Sequence, residues 1–398
     1  MSQADATQAA GQMRVRELVT PAGGAEGPGG AAAEPAVGSD AAHEVRVGRG
    51  LVGHLEDFFP GDVNRVLIVY APTLRDRVLG LVDRLRAQGL ETRLLEPPDG
   101  EAAKRIEVAQ RGWDLLGEAG FTRTDLVVGI GGGTVTDLAG FIAATWLRGV
   151  RYLNVPTTLL AMVDAAIGGK TGVNTLAGKN LVGAFHAPQA VVCDLDTLST
   201  LPHAAVTSGL GEILKCGFIR DPKILDLVWG APRAALDPAG DVLHELVERA
   251  IAVKVDVVAA DPFEHSVRAI LNYGHTLAHA IERVEDYTWA HGHAVAVGMV
   301  FAAEVAARGG VMDSSLRGAH REILAAVGLP TSYAPGRWEQ LRARMRIDKK
   351  NRGSHTRMVL LSGIGRPVLA EDPPEELLEA AYEAVSVTAR PLGEGGIG

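Results

Sequence analysis

The chain has 398 residues, of which 47% are hydrophobic and 22% charged, with a formal net charge of −9. That length suggests two domains with room for substantial cores. The acidic balance, without any block of Lys or Arg, excludes a nucleic-acid binder built on a basic stripe, and the lack of an 18-residue apolar run argues against a membrane span.

Residues 1–44 are rich in Ala, Gly, Pro and Ser, above all from Pro21 to Gly38. Such a stretch cannot bury enough apolar surface to offset its ordering entropy. A disordered, low-complexity segment is expected, or else a strand near Arg14–Thr20 followed by a floppy insertion. It has no charged start followed by an apolar core, so no secretory signal is predicted. Order is expected from Glu44 on. Arg65–Tyr70 (RVLIVY) has strand length, and Leu74–Gly89 has helical spacing ending at a glycine. Thr92–Leu95 is a predicted strand, Ile106–Gly120 a helix, and Leu126–Ile130 a buried strand followed by a glycine turn and another helix. Strands alternating with helices of this length predict a parallel sheet covered on both faces.

The texture changes after about residue 205. Helical periodicity dominates Leu243–Ala260, Thr276–Val284, Ala294–Arg308 and Leu316–Val327, and strand-like runs become rare apart from Arg357–Leu361. The predicted organisation is an α/β, Rossmann-like nucleotide-binding domain over 45–200 and a mostly α-helical, metal-binding domain over 201–390. The two cysteines, Cys193 and Cys216, sit in dissimilar contexts and outside any C-x-x-C pair, which predicts a reducing compartment and a cytoplasmic protein.

Three features carry chemistry. Gly131-Gly132-Gly133 follows the buried strand and precedes a helix opening near Thr136. Glycines there let backbone N–H groups approach a pyrophosphate at a positive helix end, although G-I-G-G-G-T departs from G-x-G-x-x-G. Two glycine-flanked lysine loops then follow, Gly168-Gly169-Lys170-Thr171-Gly172 and Gly178-Lys179-Asn180, suited to a phosphate or carboxylate. A P-loop is disfavoured, because its upstream glycine would fall at Asp164. Finally, Glu212 lies in a helical stretch, His275 and His279 stand four apart on one helical face, and His291 and His293 follow. Three N/O ligands with an open fourth position describe a catalytic zinc site, and the residues alone leave His279 or His293 as substitutes for one ligand. Lys215, Lys254, Arg268, Asn272 and Asp348-Lys349-Lys350 flank this set and predict an anionic substrate.

Taken together, PDGEAAK (98–104), GGGTVTDLAGFIAATWLRGV (131–150), VPTTLLAMVDAAIGGKTGVNTLAGKNLVGAFH (155–186), SGLGEILKCG (208–217), EHSVRAILNYGHTLAHAIE (264–282), HGHAVAVGM (291–299) and DKK (348–350) resemble the 3-dehydroquinate synthases. The match runs in order over most of 44–380 and is closest in style to the actinobacterial branch. The resemblance implies NAD and Zn2+ or Co2+ as cofactors, and Glu212, His275 and His291 as metal ligands. Asp99, Gly100, Glu101 and Lys104 would lie near the adenosine end of NAD. Gly132, Gly133, Thr134, Val135 and Thr136 would hold the pyrophosphate, with Asp137 close by. Thr157, Thr158, Asp164, Lys170, Lys179 and the loop Thr197, Leu198, Ser199, Thr200 would complete the cofactor site. Arg148, Lys170, Asn180, Lys215, Lys254, Arg268, Asn272, His279 and Lys349 would grip the substrate, Arg148 across the interface of a homodimer.

The implied reaction turns 3-deoxy-D-arabino-heptulosonate 7-phosphate into 3-dehydroquinate and phosphate, with NAD reduced and reoxidised within one turnover. No nucleic-acid or membrane partner is expected. Two positions depart from the family pattern: His293 stands where H-G-E-A-V has glutamate, and Cys216 where tyrosine is common. Rival readings are a secondary-metabolic cyclase such as an aminodehydroquinate synthase, a metal-dependent polyol dehydrogenase, or a non-catalytic NAD-binding protein. A 2-epi-5-epi-valiolone synthase fits less well, given Asn272, His275 and His279. A dehydrogenase has no use for Lys170, Lys215, Lys254 and Arg268 together, and a scaffold would have lost a ligand or a cation.

Overall fold

The computed structural model describes residues 13–17, 44–264, 266–352 and 357–386, giving the backbone alone for 14, 16, 17 and 346–352. In chain order the elements are β1 (Arg14–Glu17), β2 (Glu44–Gly48), β3 (Arg65–Tyr70), α1 (Arg75–Ala87), β4 (Glu91–Leu95) and α2 (Ile106–Glu118). Next come β5 (Leu126–Gly131), α3 (Gly133–Thr145), β6 (Arg151–Pro156), β7 (Lys170–Thr175), β8 (Gly178–Phe185), β9 (Ala190–Asp194) and α4 (His203–Ile219). The remainder is α5 (Pro222–Gly230), α6 (Asp241–Ala260), α7 (His275–Val284), α8 (His291–Arg308), α9 (Ser314–Ala326), α10 (Trp338–Arg352), β10 (Arg357–Gly363), β11 (Arg366–Glu371) and α11 (Glu375–Val385). The strand expected near Arg14–Thr20 is seen as β1; the low-complexity stretch after it lies outside the described residues.

These elements form two compact units. Among the described residues, a sheet unit comprises 44–209 and 237–263, and a helical unit comprises 13–17, 210–236, 264, 266–352 and 357–386. The helix α6 was expected with the C-terminal domain, yet it belongs to the sheet unit. Its Lys254 binds Asp164 there, and it packs on the π-helical turn Ala161–Ala165.

The sheet unit is built on six parallel strands in the order β2-β9-β6-β5-β3-β4. Alternation within RVLIVY explains its two covered faces. Leu67 and Val69 join a core with α2 and α3, and Val66 and Ile68 join the opposite core with α1. The chain leaves β3 for β4 on one side and then crosses to β5 on the other. The carboxyl ends of β3 and β5 therefore flank a topological switch point, where open α/β sheets place their ligands.

Where two lysine loops were predicted, β7 and β8 form an antiparallel hairpin. It sits close on α3: a Cβ added to Gly140 would come 2.5 Å from Thr171 Cγ2. In the helical unit, α8 is buried from Ala294 to Ala306, apolar there except for Glu304, which pairs with Arg317 and Arg321, and packed by α7, α9, α11 and β10. Beside it stands the antiparallel sheet β1-β11-β10, of which β11 was not anticipated from the sequence.

Candidate functional site

The helical unit gathers Glu212 from α4, His275 from the first turn of α7 and His291 from the first turn of α8, with donor atoms all within 4.8 Å of one another. Glu212 is 1% exposed and His275 8%. Glu212 Oε1 stands 3.6 Å from His275 Nε2 and 3.4 Å from His291 Nε2. It is buried and makes no hydrogen bond. The other carboxylate oxygen, Oε2, receives the buried ammonium of Lys215 one turn along α4.

Each imidazole is fixed from behind. His275 Nδ1 lies 3.1 Å from the Tyr273 carbonyl, and His291 Nδ1 lies 3.2 Å from Glu282 Oε1. Both partners are acceptors, so each Nδ1 carries a proton, and in the neutral ring each Nε2 turns a lone pair toward Glu212 Oε1. Three acceptors, two of them buried and the third partly so, converging on one point repel unless a positive charge stands among them; an orphaned buried acceptor alone costs about 1–3 kcal/mol. Ligands about 2.0–2.1 Å from a tetrahedral cation are about 3.3 Å apart, close to the separations seen here. The donor set therefore fits a divalent metal with an open position.

The electrostatics agree. Burial disfavours the Glu212 carboxylate, but Lys215 and the two histidines outweigh it and hold its pKa well below the usual range. Burial, aided by the Lys215 ammonium, keeps His275 well below an ordinary imidazole. Burial also opposes charge on His291, yet its contacts with Glu212 and Glu282 lift it to about 10. A proton on His291 thus supplies the positive charge that a metal would otherwise bring.

Other predicted residues of this unit lie nearby. The His279 ring is edge-on to His275 at 5.3 Å, Arg268 is 2% exposed, and Asn272 Nδ2 donates to Glu264 Oε1 at 2.8 Å. The backbone of Lys349 lies in α10, and its side chain is outside the described residues. His293 has a buried Nε2 without a hydrogen-bond partner, and burial lowers its pKa.

The sheet unit carries the rest. At the end of β5, the α3 N-terminus opens at Gly133 without a side-chain cap. A Cβ on Gly131 would come 2.9 Å from Val135, and one on Gly133 would come 2.9 Å from Ala165. This turn needs glycine, and it presents helix-end N–H groups at the switch point, which fits a pyrophosphate. Around it, Thr136 Oγ1 donates to the Gly133 carbonyl, and Thr158 Oγ1 accepts from Ala161 N. Thr134, Val135 and Thr157 line the same turn and the start of the following loop.

Asp99 caps the turn Gly100–Lys104 by accepting from Gly100 N. Glu101 accepts from Lys179 Nζ and from Asn174 Nδ2, each at 2.7 Å; these bonds overcome burial and lower its pKa. Lys104, 3% exposed, reaches both Asp137 and Asn180, and Asn180 adopts a left-handed φ of 55°. Lys254 donates to the Asp164 carbonyl at 2.7 Å and to its carboxylate. Lys170 and Arg148 are exposed, Arg148 with φ 66°. Thr197, Ser199 and Thr200 turn their hydroxyls onto carbonyls of their own loop, with Leu198 buried beneath.

Sequence reasoning missed Glu282. The signal was present, since 275, 279 and 282 are spaced i, i+4, i+7 on one face of α7. Tyr273 acts through its carbonyl, which no side-chain pattern betrays.

Two family models divide the chain: 3-dehydroquinate synthase N-terminal matches residues 94–208, and 3-dehydroquinate synthase C-terminal matches 209–351. A 3-dehydroquinate synthase of Thermobifida fusca is 53% identical over 352 residues, covering 88% of this chain and 96% of that protein. One from Nocardia farcinica is also 53% identical, over 88% of this chain and 95% of its own. Among solved structures, a 2-epi-5-epi-valiolone synthase from Streptomyces hygroscopicus subsp. jinggangensis, with NAD+ and Zn2+ bound, superposes with a TM-score of 0.80 at 26% identity, covering 89% of this chain and 99% of that one. A 2-deoxy-scyllo-inosose synthase complexed with carbaglucose-6-phosphate, NAD+ and Co2+ gives 0.76 at 27%, over 85% and 96%.

Proposed function

The chain belongs to the 3-dehydroquinate synthase family, and from that premise we infer that it is a lyase that converts 3-deoxy-D-arabino-heptulosonate 7-phosphate into 3-dehydroquinate and phosphate. The observation that carries this reading is the convergence of Glu212 Oε1, His275 Nε2 and His291 Nε2 on one point in a protein of this family.

Glu212, His275 and His291 would hold Zn2+ or Co2+, and the Gly132–Thr136 turn would hold the pyrophosphate of NAD. The metal, when bound, supplies Lewis acidity at the substrate carbinol, and NAD supplies a reversible hydride acceptor. The chain's own residues bind and orient. Lys215, Lys254 and Arg268 are 2%, 7% and 2% exposed, and buried cations in a chain of net charge −9 suit a substrate bearing both carboxylate and phosphate. Asp164 holds the Lys254 ammonium against the turn that follows β6, fixing where that charge points. In this reading His279, beside His275, and Asn272 would hydrogen-bond the substrate. Once phosphate leaves, ring opening and intramolecular aldol closure require chiefly a held conformation, which such a set of contacts supplies. Lys349 from α10 completes the anion grip in this reading. We also assign a homodimer, with Arg148 serving the partner's site, and a cytoplasmic setting; no helix among the described residues is long and apolar enough to cross a membrane.

The test is phosphate release by the purified protein on 3-deoxy-D-arabino-heptulosonate 7-phosphate with catalytic NAD and zinc, with product identified by mass. Dehydroquinate formed without net NADH, and lost on chelation, is the expected outcome. Turnover only of the 4-amino analogue or of sedoheptulose 7-phosphate would move the protein to a secondary-metabolic cyclase. Stoichiometric NADH from a polyol would overturn the cyclase reading.

A further inference from the structure

We propose that Glu282, which is not one of the metal ligands, is the positioning residue that sets the affinity of this centre for its cation. The proposal rests on the metal-centre reading above and deepens it. Glu282 lies near the end of α7 and His291 opens α8, so the 3.2 Å contact between Glu282 Oε1 and His291 Nδ1 ties together the two helices that carry the histidine ligands. The Glu282 side chain is only 14% exposed, and that of His291 21%, so solvent competes weakly for this bond.

An imidazole has two tautomers, and only one of them points a lone pair from Nε2. By accepting the Nδ1 proton, the Glu282 carboxylate holds His291 in the ligating tautomer and fixes the plane of the ring. It also pushes electron density toward Nε2, making it a stronger donor. His275 has a neutral carbonyl in the corresponding place. The two histidines are therefore unequal ligands, and the Glu282 carboxylate adds a second negative charge at a centre where the Glu212 charge is shared with the Lys215 ammonium. On the same face, His275 and Glu282 are seven residues apart along α7, so the ligand and the orienting group are held by one rigid element.

The experiment compares zinc affinity by chelator competition in the wild type, Glu282→Gln and Glu282→Ala, alongside the visible absorption of each protein loaded with Co2+. Glu282→Ala is expected to weaken zinc by about 10- to 100-fold and to alter the Co2+ spectrum. Glu282→Gln keeps an acceptor oxygen without the charge and should fall between the two. Should Glu282→Ala not fold, Glu282→Gln decides alone, because a purely structural contact predicts lost thermal stability with unchanged zinc affinity and spectrum. That unchanged result in any folded variant overturns the proposal. A wild type that binds no zinc would instead overturn the metal-centre reading itself, and the two failures are thereby distinguished.

Discussion

At the scale of single residues, the helical unit holds two kinds of buried histidine, and their partners separate them. His320 is fully buried, stacked on Phe218 with ring centres 4.0 Å apart. Its Nδ1 donates to the Leu316 carbonyl, and its Nε2 accepts from the Tyr273 hydroxyl. It is a neutral core group, and burial pushes its pKa down to about 4. The unfolded chain, with a value near 6.5, takes up the proton first, so the stability this residue contributes is complete above about pH 6.5 and is lost as pH falls toward 4; up to about 3 kcal/mol is at stake. Urea midpoints between pH 7.5 and 4 should show wild type losing more stability than His320→Phe. Glu212 belongs to the other kind. Glu212→Gln removes the carboxylate charge that pairs with the buried Lys215 ammonium, and it should cost up to about 3–5 kcal/mol in the metal-free protein. The same variant should reduce zinc affinity more than any change at Glu282, as read by chelator competition.

At the scale of elements, glycines decide how closely the ligand-bearing segments approach. Gly274 has φ 79° and stands immediately before His275, and a Cβ on Gly298 would overlap its carbonyl group. Gly298→Ala should force α7 and α8 apart, costing about 1–3 kcal/mol or more and lowering zinc affinity in the folded fraction, measurable by calorimetry and chelator competition. Gly133→Ala pushes against Ala165 at the opening of α3 and should weaken NAD binding about tenfold or more with circular dichroism unchanged. Much of the element pattern was legible in the sequence. RVLIVY and LVVGI announced buried strands through apolar run length, and the glycine turn announced itself through composition. The hairpin β7–β8 was not legible, because Gly172, Gly178 and Gly183 interrupt its alternation and four β8 residues in a row, 180–183, are exposed. Strand β11 was hidden by its Arg366-Pro367 start and its continuous apolar centre. The Glu212, His275 and His291 set was readable by residue type, whereas the choice among four nearby histidines needed the fold.

At the scale of the molecule, the two candidate binding features lie in different units, which predicts separable responses to ligands. Saturating zinc at about one hundred times its Kd should stabilise by about 2.7 kcal/mol, with hydrogen exchange slowed chiefly in α4, α7 and α8. NAD should protect the glycine turn and α3 instead. Uniform protection of both units by either ligand would contradict this assignment. A further prediction concerns the other end of the chain: deleting residues 1–17 uncovers the β11 edge and should lower the melting temperature and promote self-association, seen by light scattering. That pairing of Arg14–Glu17 with Val368–Glu371 also sets a schedule for synthesis. The partner strand follows about 350 residues after it along the chain, a wait of roughly 20–70 s at ordinary translation rates. Among the described residues, the sheet unit has all its segments once residue 263 is out, whereas the helical unit, with every candidate metal ligand, stays incomplete for more than a hundred residues beyond that point.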